Sequence, residues 1–352
     1  MKKKTWALLC LTGIVGAFLL LSALVIWIDP FQVYRLAARY MPPIDNTTQV
    51  YANAGIVRNY DYDSAVVGTS VTENFRPSQM DELLGGRFIK LCTSAGTAYN
   101  HALLLNLAFD THDIKRIVYG LDVYSLIAEL DETGSEVPFY LYDSNLFNDA
   151  QYWLNRSVLG SFLPRCLRAW GQQQDDSIRD SMYSWKGPDA YGLAALYNAQ
   201  FSPVKPMRPV EEDMEKAAAN LNTHVIPLIT AHPETQFDFF FPPYSAAEWS
   251  SMQAKGTLEG MLALRGLCCD MLSCYDNVRI HDFAAREDWV LDLDNYKDTL
   301  HYGYWINDAI VEDIAAQSCI VTERTQLDAA TAQLRAWANE LIAAGRWIYQ
   351  GS

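Results

Sequence analysis

Short runs of β-branched and aromatic residues alternate along the chain with longer segments whose apolar residues recur at helical spacing. Runs of the first kind, bounded by turn residues, are typical of buried strands. We predict five strands, at residues 64–67, 88–92, 114–119, 236–241 and 278–283. Helical segments separate the first three, and this β-α-β-α-β order predicts an α/β fold, a three-layer sandwich with a mostly parallel five-stranded sheet.

Apolar spacing also predicts the helices, at residues 81–84, 99–109, 211–230, 246–272, 302–316 and 326–349, with a partly helical stretch at 33–39. Residues 123–220 show no strand pattern and are rich in tyrosine, tryptophan and phenylalanine. We interpret them as a helical insertion over the carboxyl edge of the sheet. Its aromatic residues either form the insertion's own core, which is the usual role of such clusters, or stack on sugar rings or a lipid chain.

An uncharged stretch from Trp6 to Ile28 follows three lysines near the N-terminus. At about 1.5 Å per residue it spans roughly 34 Å, enough to cross a bilayer core of about 30 Å. A secretory signal peptide is the alternative, but its apolar core has about 7–15 residues and ends in small residues. We therefore predict an uncleaved single-pass anchor. Because positive charge flanks the cytoplasmic end of such helices, the N-terminus is expected in the cytoplasm and the main domain outside it.

These segments define the predicted domain organisation. Residues 1–28 form a cytoplasmic tip and transmembrane anchor, and residues 29–60 form a membrane-proximal connector. Residues 61–322 form the α/β domain with its insertion at about 123–220, and residues 323–352 form a C-terminal helix. A chain of this length can bury a large hydrophobic core.

Composition narrows the classes of function. Half of the residues are hydrophobic, which excludes a disordered chain, and the formal net charge of −15 argues against a nucleic-acid partner. Of the seven cysteines, Cys10 lies in the apolar stretch 6–28, and the other six would permit disulfides, although we expect Cys92 to be a core residue. No Cys-x-x-Cys motif or His/Cys cluster indicates zinc, and the acidic residues 292–298 lack the glycine and glutamate of a calcium loop. We expect no metal and no cofactor.

A candidate nucleophile lies at the end of the first predicted strand, where Gly68-Thr69-Ser70 follows the β-branched run. Chemistry in open α/β sheets takes place outside the carboxyl ends of the strands, so Ser70 would present its hydroxyl there. Tyr244, just after the prolines that end the fourth strand, is expected at the same edge. Taken alone, Gly-Thr-Ser is more often an ordinary turn.

A candidate base and its orienting carboxylate lie far downstream, in Asp298-Thr299-Leu300-His301. A serine hydroxyl needs a base to take its proton, and the base works best when a carboxylate fixes its tautomer. We predict that Asp298 and His301 share one face of a helical turn. A solvated aspartate and a helix-end histidine are the alternative for this pair by itself. The order Ser…Asp…His across several strand–helix units favours catalysis.

With these two blocks the chain resembles the SGNH (GDSL-like) hydrolase superfamily. The branch in question is membrane-anchored and includes the D-alanine-transfer protein of teichoic acid and the alginate O-acetyltransferases. The resemblance covers roughly residues 60–320 and implies the flavodoxin-like SGNH fold with a triad of Ser70, Asp298 and His301. Gly96, after the second strand, matches the second-block glycine of the family. Asp122, after the third strand, stands where the family usually has asparagine.

The resemblance also bears on how the site would stabilise an oxyanion. The expected donors are the backbone N–H groups of Ser70 and Gly96. An ionised Asp122 cannot replace an amide, because a carboxylate only accepts hydrogen bonds. Asn74 or Asn100 would then supply the missing amide.

These residues predict acyl transfer by an extracytoplasmic serine esterase or O-acyltransferase that acts on a cell-envelope polysaccharide or polymer. Its expected partners are the acylated glycan or polymer, the membrane through the N-terminal helix, and a membrane acyltransferase. A lipase-like esterase is a second enzymatic hypothesis. The alternative of a different class is a non-catalytic SGNH-like binding module that partners a membrane acyltransferase.

Overall fold

The computed structural model describes residues 3–143, 145–185, 191–192 and 209–343. The chain forms two compact units. Unit 1 comprises Met1–Tyr60 and Glu136–Ile178, and unit 2 comprises Asp61–Ser135 and Arg179–Ser352. Each unit is therefore assembled from two separate stretches of sequence.

The described helices carry the labels used below. In chain order they are α1 (Lys3–Ile28), α2 (Gln49–Asn59), α3 (Pro77–Leu84), α4 (Ala98–Thr111), α5 (Ala150–Trp153), α6 (Leu163–Arg168), α7 (Ile178–Ser181), α8 (Glu211–Asn220), α9 (Ile226–Ala231), α10 (Ala246–Lys255), α11 (Leu258–Leu272), α12 (Glu287–Val290), α13 (Tyr304–Ala315) and α14 (Arg324–Ala343).

Unit 2 contains a five-stranded sheet. Its strands are β1 (Ser64–Gly68), β2 (Phe88–Cys92), β3 (Arg116–Gly120), β4 (Gln236–Phe241) and β5 (Val278–Asp282). They lie in the order β2-β1-β3-β4-β5, and each neighbouring pair is parallel, so the predicted fold class is confirmed. The strand order reverses between β1 and β3, and ligands of doubly wound sheets bind outside the carboxyl ends of the strands at this point.

Helices cover both faces of the sheet. The ring of Phe75, just before α3, packs against Phe240 at a centroid distance of 5.7 Å, whereas Arg265 of α11 lies 5.3 Å from the ring centroid of Phe241. Neighbouring residues of a strand point to opposite faces, so α3 and α11 lie on opposite sides. Helix α13 packs beside α3. Burial of both faces explains why the strands read as nearly continuous apolar runs.

The predicted strands match the structure closely. The bounds of β2 and β4 are as predicted, those of β1 and β5 differ by one residue at one end, and β3 starts two residues later and ends one residue later than predicted. The cysteines are free thiols, and Cys92 in β2 is buried, as expected.

Two predicted helices are interrupted. The segment 246–272 forms two helices, α10 and α11, because Gly256 adopts a left-handed backbone with φ of +72° and ends α10. The segment 211–230 contains a π-helical stretch, Leu221–Val225, just before Pro227, which has no N–H for the α-helical ladder. Helix α14 corresponds to the predicted helix at 326–349, of which residues 344–349 lie outside the described residues.

The predicted helical stretch at 33–39 is wrong. The carboxylate of Asp29 accepts hydrogen bonds from the N–H groups of Val33, Tyr34 and Arg35 at 2.8–3.2 Å. These bonds bend the chain just after α1 and occupy donors at the start of the expected helix.

Unit 1 is organised around Phe31. Its ring contacts those of Tyr51, Tyr152 and Phe162 at centroid distances of 5.2, 6.1 and 4.8 Å. Helix α2 approaches it so closely that a Cβ atom at Gly55 would lie 2.0 Å from the Phe31 carbonyl oxygen. Helix α2 is not among the predicted helices. Its close contact with Phe31 requires a small residue, Gly55, and not the apolar stripe by which helices are predicted from sequence.

Helix α1 is long and apolar enough to cross a membrane. Most of its side chains are exposed, including Trp6 and a series of leucines, whereas Ser22, Val25 and Ile28 are buried. The buried residues lie in its last two turns, which pack against α5 and α6.

A buried ionic cluster joins β3, β4 and β5. The carboxylate of Asp238 lies 2.6 Å from Arg116 Nε, 3.6 Å from His281 Nε2 and 3.9 Å from Arg279 Nη1. Burial alone would raise the pKa of Asp238, but hydrogen bonds and charges of His281 and Arg116 outweigh burial and lower that pKa below its ordinary value. One fully buried carboxylate on β4 therefore holds basic side chains of both neighbouring strands, β3 and β5.

The Asp238→Ala substitution should lower the free energy of unfolding by about 3–5 kcal/mol, because it leaves the mostly buried Arg116 without its partner. Thermal unfolding of the full chain in detergent checks this, and a loss of that size lowers Tm by roughly 10 °C. Asp276→Ala, at an exposed aspartate before β5, is the control and should change stability by less than about 0.5 kcal/mol. A loss below about 1 kcal/mol in Asp238→Ala would contradict the prediction.

Candidate active site

Close packing at the carboxyl ends of β1 and β3 shapes the turn that carries Ser70. Gly68 ends β1 and Gly120 ends β3, and the methyl group of Thr72 approaches both. A Cβ atom at Gly68 would lie 2.6 Å from that methyl carbon, and one at Gly120 would lie 2.9 Å from it. Glycine is therefore required at both strand ends, and the 3₁₀ turn Ser70–Thr72 follows directly.

Distant residues hold this turn in place. Tyr302 Oη and Asn307 Nδ2 both donate to the carbonyl oxygen of Val71, at 3.1 and 3.0 Å. Within the turn, Thr72 Oγ1 donates to the carbonyl oxygen of Thr69 at 2.7 Å. The backbone on both sides of the serine is thus fixed, once by the turn itself and once by the segment around α13.

Asp298 and His301 lie in a loop before α13 and not on a helical turn, so that part of the prediction is wrong. Asp298 Oδ1 accepts the N–H groups of Leu300 and His301 at 2.9 and 2.8 Å and closes an Asx turn. These N–H groups therefore donate to the carboxylate and not to backbone carbonyls, as they would in a helix. The two residues still face each other, because the tight turn brings them together.

Ser70, His301 and Asp298 form a continuous hydrogen-bonded chain. Ser70 Oγ lies 2.7 Å from His301 Nε2, and His301 Nδ1 lies 2.7 Å from Asp298 Oδ2. Because a carboxylate only accepts, Nδ1 carries the proton and donates to Asp298, and Nε2 of the neutral ring accepts from the serine hydroxyl. Ser70 is half-buried, so its hydroxyl retains access to solvent.

The electrostatics of the site raise the pKa of His301. Burial of the ring lowers its pKa, but the hydrogen bond and charge of Asp298 outweigh burial. The charges of Glu73 and Asp122 act in the same direction, and the pKa of His301 is raised above its ordinary value of about 6.5. For Asp298, burial raises the pKa, but the contacts with His301 outweigh it and lower that pKa below its ordinary range.

Asp122 follows β3 and acts as a hydrogen-bond acceptor. Its Oδ2 accepts from Thr69 Oγ1 at 2.7 Å, and its Oδ1 accepts from Tyr244 Oη at 2.6 Å and from the N–H of Tyr124 at 3.1 Å. Tyr244 lies at the expected edge of the sheet, and its hydroxyl is directed to Asp122. Both carboxylate oxygens of Asp122 therefore accept hydrogen bonds, one of them from Thr69, the residue before Ser70.

A second carboxylate continues this network. Glu248 Oε1 accepts from Tyr124 Oη at 2.8 Å, and Glu248 Oε2 accepts from the hydroxyl of Thr299, inside the loop that carries the histidine. Hydrogen bonds of Tyr124 and Glu248 thus link Asp122, beside the serine turn, to the loop that contains His301. Glu248 is not among the predicted site residues, although Ser245 and Glu248 form the Ser-x-x-Glu pattern of a helix start.

Gly96 and Asn100 use their polar groups within the loop after β2. The N–H of Gly96 donates to the carbonyl of Thr93 at 2.9 Å, so a turn already engages this expected oxyanion donor. Asn100 Oδ1 accepts the N–H groups of Thr97 and Gly134 at 3.0 and 2.9 Å, and with Thr97 it forms the capping box of α4. The side chain of Asn100 therefore has a structural explanation.

Asn74 holds an aromatic side chain against His301. Its Oδ1 accepts the N–H of Trp185 at 3.1 Å and the hydroxyl of Ser184 at 3.2 Å. The indole of Trp185 meets the imidazole ring edge to face, with centroids 5.5 Å apart, and Lys297 Nζ lies 4.9 Å from the indole. Trp185 belongs to the aromatic-rich segment 123–220, and nothing local in the sequence links it to His301.

The described residues contain no group of three or more His, Cys, Asp or Glu side chains arranged to hold a metal ion.

Comparisons with known proteins add little to this geometry. No protein-family model matches the chain, and no curated protein matches it. Among solved structures, it is similar to a Streptococcus pneumonia protein that bears the provisional name "platelet activating factor", at 11% identity. That match covers 77% of this chain and 90% of the other, with a TM-score of 0.40. A likeness this remote carries no argument about the activity of this chain.

The Asp122→Asn substitution should lower the pKa of His301, because it removes one of the negative charges that stabilise the protonated ring. NMR titration of histidine-labelled protein measures this directly. Asp276→Asn, at an exposed aspartate before the amino end of β5, is the matched control and should leave the titration unchanged. An unchanged or higher pKa in Asp122→Asn would contradict the electrostatic role given to Asp122.

Proposed function

We propose that this protein is a serine-dependent esterase or O-acyltransferase in which Ser70 is the nucleophile, His301 the general base and Asp298 the residue that orients the base. The observation that carries the proposal is the pair of 2.7 Å contacts that join Ser70 to His301 and His301 to Asp298. Ser70 and His301 lie 231 positions apart, so no local preference of the chain brings them together. Both distances lie within the reach required for proton transfer.

The proposed reaction has two acyl-transfer steps. Ser70 Oγ attacks the carbonyl carbon of an ester while His301 Nε2 takes the hydroxyl proton, and a tetrahedral oxyanion forms. Collapse of the oxyanion breaks the ester bond, and His301 returns the proton to the leaving alcohol. The acyl-serine is then attacked by a second hydroxyl, whose proton His301 accepts and passes to Ser70. That hydroxyl belongs to water in an esterase and to a glycan in a transferase.

The oxyanion requires donors, and the backbone N–H of Ser70 is the first candidate. Hydrogen-bond acceptors for this N–H are absent among the described residues. The N–H of Gly96 would have to leave its bond to Thr93 before it could join. Asp122 offers no amide, so this site would work with fewer donors than the asparagine-containing members of the SGNH superfamily. Each missing donor typically costs about 2.7–4 kcal/mol of transition-state stabilisation.

Membership of the SGNH superfamily is part of the proposal. The serine block follows β1, the glycine block follows β2 and the Asp122 block follows β3, all at the carboxyl ends of parallel strands. The histidine block precedes α13 and meets the serine there. This agreement of block order with strand order supports the resemblance.

The substrate class is proposed from the anchor. If α1 is retained, Ser70 is tethered to the outer side of a membrane, where acylated envelope polysaccharides and polymers are found. Retention is supported by the burial of Ser22, Val25 and Ile28 against α5 and α6, because cleavage after residue 28 would remove part of the core of unit 1.

A second candidate function is a non-catalytic module that binds an acylated polymer and partners a membrane acyltransferase. The observations that favour it are the carboxylate at position 122 and the engaged N–H of Gly96, which both weaken an oxyanion site. A fluorophosphonate probe separates the two candidates, because it reacts only with an activated serine.

The Ser70→Ala variant should lose both fluorophosphonate labelling and hydrolysis of a small ester such as p-nitrophenyl acetate. Loss of Ser70 or of His301 should lower kcat about a million-fold, whereas Asp298→Ala should lower it about ten-thousand-fold, since Asp298 orients the base and transfers no proton. Mass spectrometry locates the label, and steady-state kinetics give kcat.

Ser273→Ala, at an exposed serine after α11, is the matched control and should keep labelling and activity. Folded wild-type protein that the probe does not label would favour the binding module. Full activity in Ser70→Ala, or a larger loss in Asp298→Ala than in Ser70→Ala, would refute the assigned roles.

The proposed topology predicts that a reporter fused after Ser352 is active only outside the cytoplasmic membrane. Alkaline phosphatase fused there should be active, and green fluorescent protein fused at the same position should not fluoresce. N-terminal sequencing of the membrane-bound protein should find residues before position 28. The opposite pair of reporter results, or a mature chain that begins after residue 28, would contradict the topology.

A further inference from the structure

A cavity of about 370 Å³ lies in unit 1 at the end of α1. Its walls come from the last residues of the helix, from the segment 35–40 and from Trp170. Trp27 and Trp170 pack with ring centroids 5.5 Å apart, and Tyr40 stacks on Trp170 at 6.5 Å.

Backbone and side-chain contacts hold the walls of this cavity. An isolated bridge pairs Tyr40 with Trp170, and the N–H of Gly171 donates to the carbonyl of Arg39 at 2.7 Å. The guanidinium of Arg35 donates to the carbonyl oxygens of Ile26 and Trp27 at 2.5 and 2.6 Å. Its positive charge thereby meets the negative end of the α1 dipole. The cavity is therefore built into unit 1 independently of any ligand.

The chemistry of the lining differs from that of the chain as a whole. The sequence has 42 acidic and 27 basic residues, yet the described residues that line the cavity include two arginines and no carboxylate. Arg35 and Arg39 are exposed at its rim. A local positive charge on an acidic protein indicates an anionic ligand, and an arginine fork is suited to bind a phosphate.

The position of the cavity indicates whether that anion is a lipid headgroup or a soluble ion. It opens where an exposed apolar helix ends, and tryptophan and tyrosine with basic residues are the side chains found at membrane–water interfaces. The apolar side chains of Trp27, Leu36, Leu167 and Trp170 are all more than two-fifths exposed beside it. A lipid has apolar acyl chains next to a charged headgroup. Exposed apolar groups next to arginines therefore fit a lipid better than a soluble anion.

We propose that this cavity binds the headgroup of an anionic phospholipid, and that the surface around Trp27, Leu36, Leu167 and Trp170 rests in the membrane interface. Arg39 contacts the lipid phosphate, and Arg35 lies beside it while it caps α1. The proposal concerns unit 1 and does not depend on the activity of Ser70. It requires that α1 is retained in a bilayer.

Lipid quenching of tryptophan fluorescence tests the proposal with the full-length protein in nanodiscs. A minor fraction of the lipid is replaced by phosphatidylcholine or phosphatidylglycerol brominated near the headgroup end of the acyl chains. The difference between wild type and Trp170→Phe reports the quenching of Trp170. Trp153→Phe, at a tryptophan of α5 whose Nε1 donates to Tyr34 Oη, is the control for loss of an indole in the same unit.

Trp170 should be quenched, and more strongly by the brominated phosphatidylglycerol. The Arg39→Gln substitution should reduce this preference about fivefold, the effect of one basic residue near an anionic surface. Because Arg39 is exposed, this variant should fold normally. Arg156→Gln, at an exposed arginine of the same unit that does not line the cavity, should keep the preference.

Equal quenching by the two lipids, or a preference that survives Arg39→Gln, would overturn the headgroup site. No quenching of Trp170 by either lipid would overturn the interfacial surface. The difference in fluorescence quenching between wild type and Trp6→Phe reports whether lipid reaches Trp6, at the other end of α1. Quenching of Trp6 without Trp170 would leave the anchor intact and refute this proposal alone, and quenching of neither would refute both.

Discussion

The close approach of β1 and β3 at their carboxyl ends is the constraint on which the candidate site depends. Thr72 places its methyl group where side chains at Gly68 and Gly120 would otherwise lie, and this contact positions the Ser70 turn at the switch point of the sheet. The segment around α13 then packs onto the carbonyl of Val71. The distance from Ser70 to His301 is therefore set by backbone packing and not by the two side chains alone.

Three carboxylates act on the pKa of His301. His301 faces Asp298 directly, and the charges of Glu73 and Asp122 add to its effect on the imidazole pKa. A raised pKa makes His301 a stronger base, but it also requires a higher pH before the ring is free to accept a proton. The hydrogen bonds from Thr69, Tyr244 and Tyr124 hold the Asp122 carboxylate in place. The fold thereby fixes the position from which Asp122 raises the pKa of His301.

The two units carry different kinds of feature. Unit 2 contains the parallel sheet and the Ser70–His301–Asp298 chain. Unit 1 contains the apolar helix, the aromatic core around Phe31 and the basic cavity beside Trp170. Asp29 marks the end of the apolar helix and bends the chain through three backbone hydrogen bonds. The Ser70–His301–Asp298 chain and the apolar helix thus come from separate stretches of the sequence.

The sequence by itself determined the strands, their mostly parallel orientation and the apolar helix, because burial of regular elements leaves a periodic pattern of apolar residues. It also nominated Ser70, Asp298 and His301, since their residue types and chain order are those of an acyl-transfer site. Only the tertiary structure decided their surroundings. Asn100 caps a helix, Asn74 holds Trp185, and Asp298 closes an Asx turn instead of lying on a helix. A polar side chain can satisfy its hydrogen bonds with many partners, and the choice among them depends on distant residues that leave no local pattern.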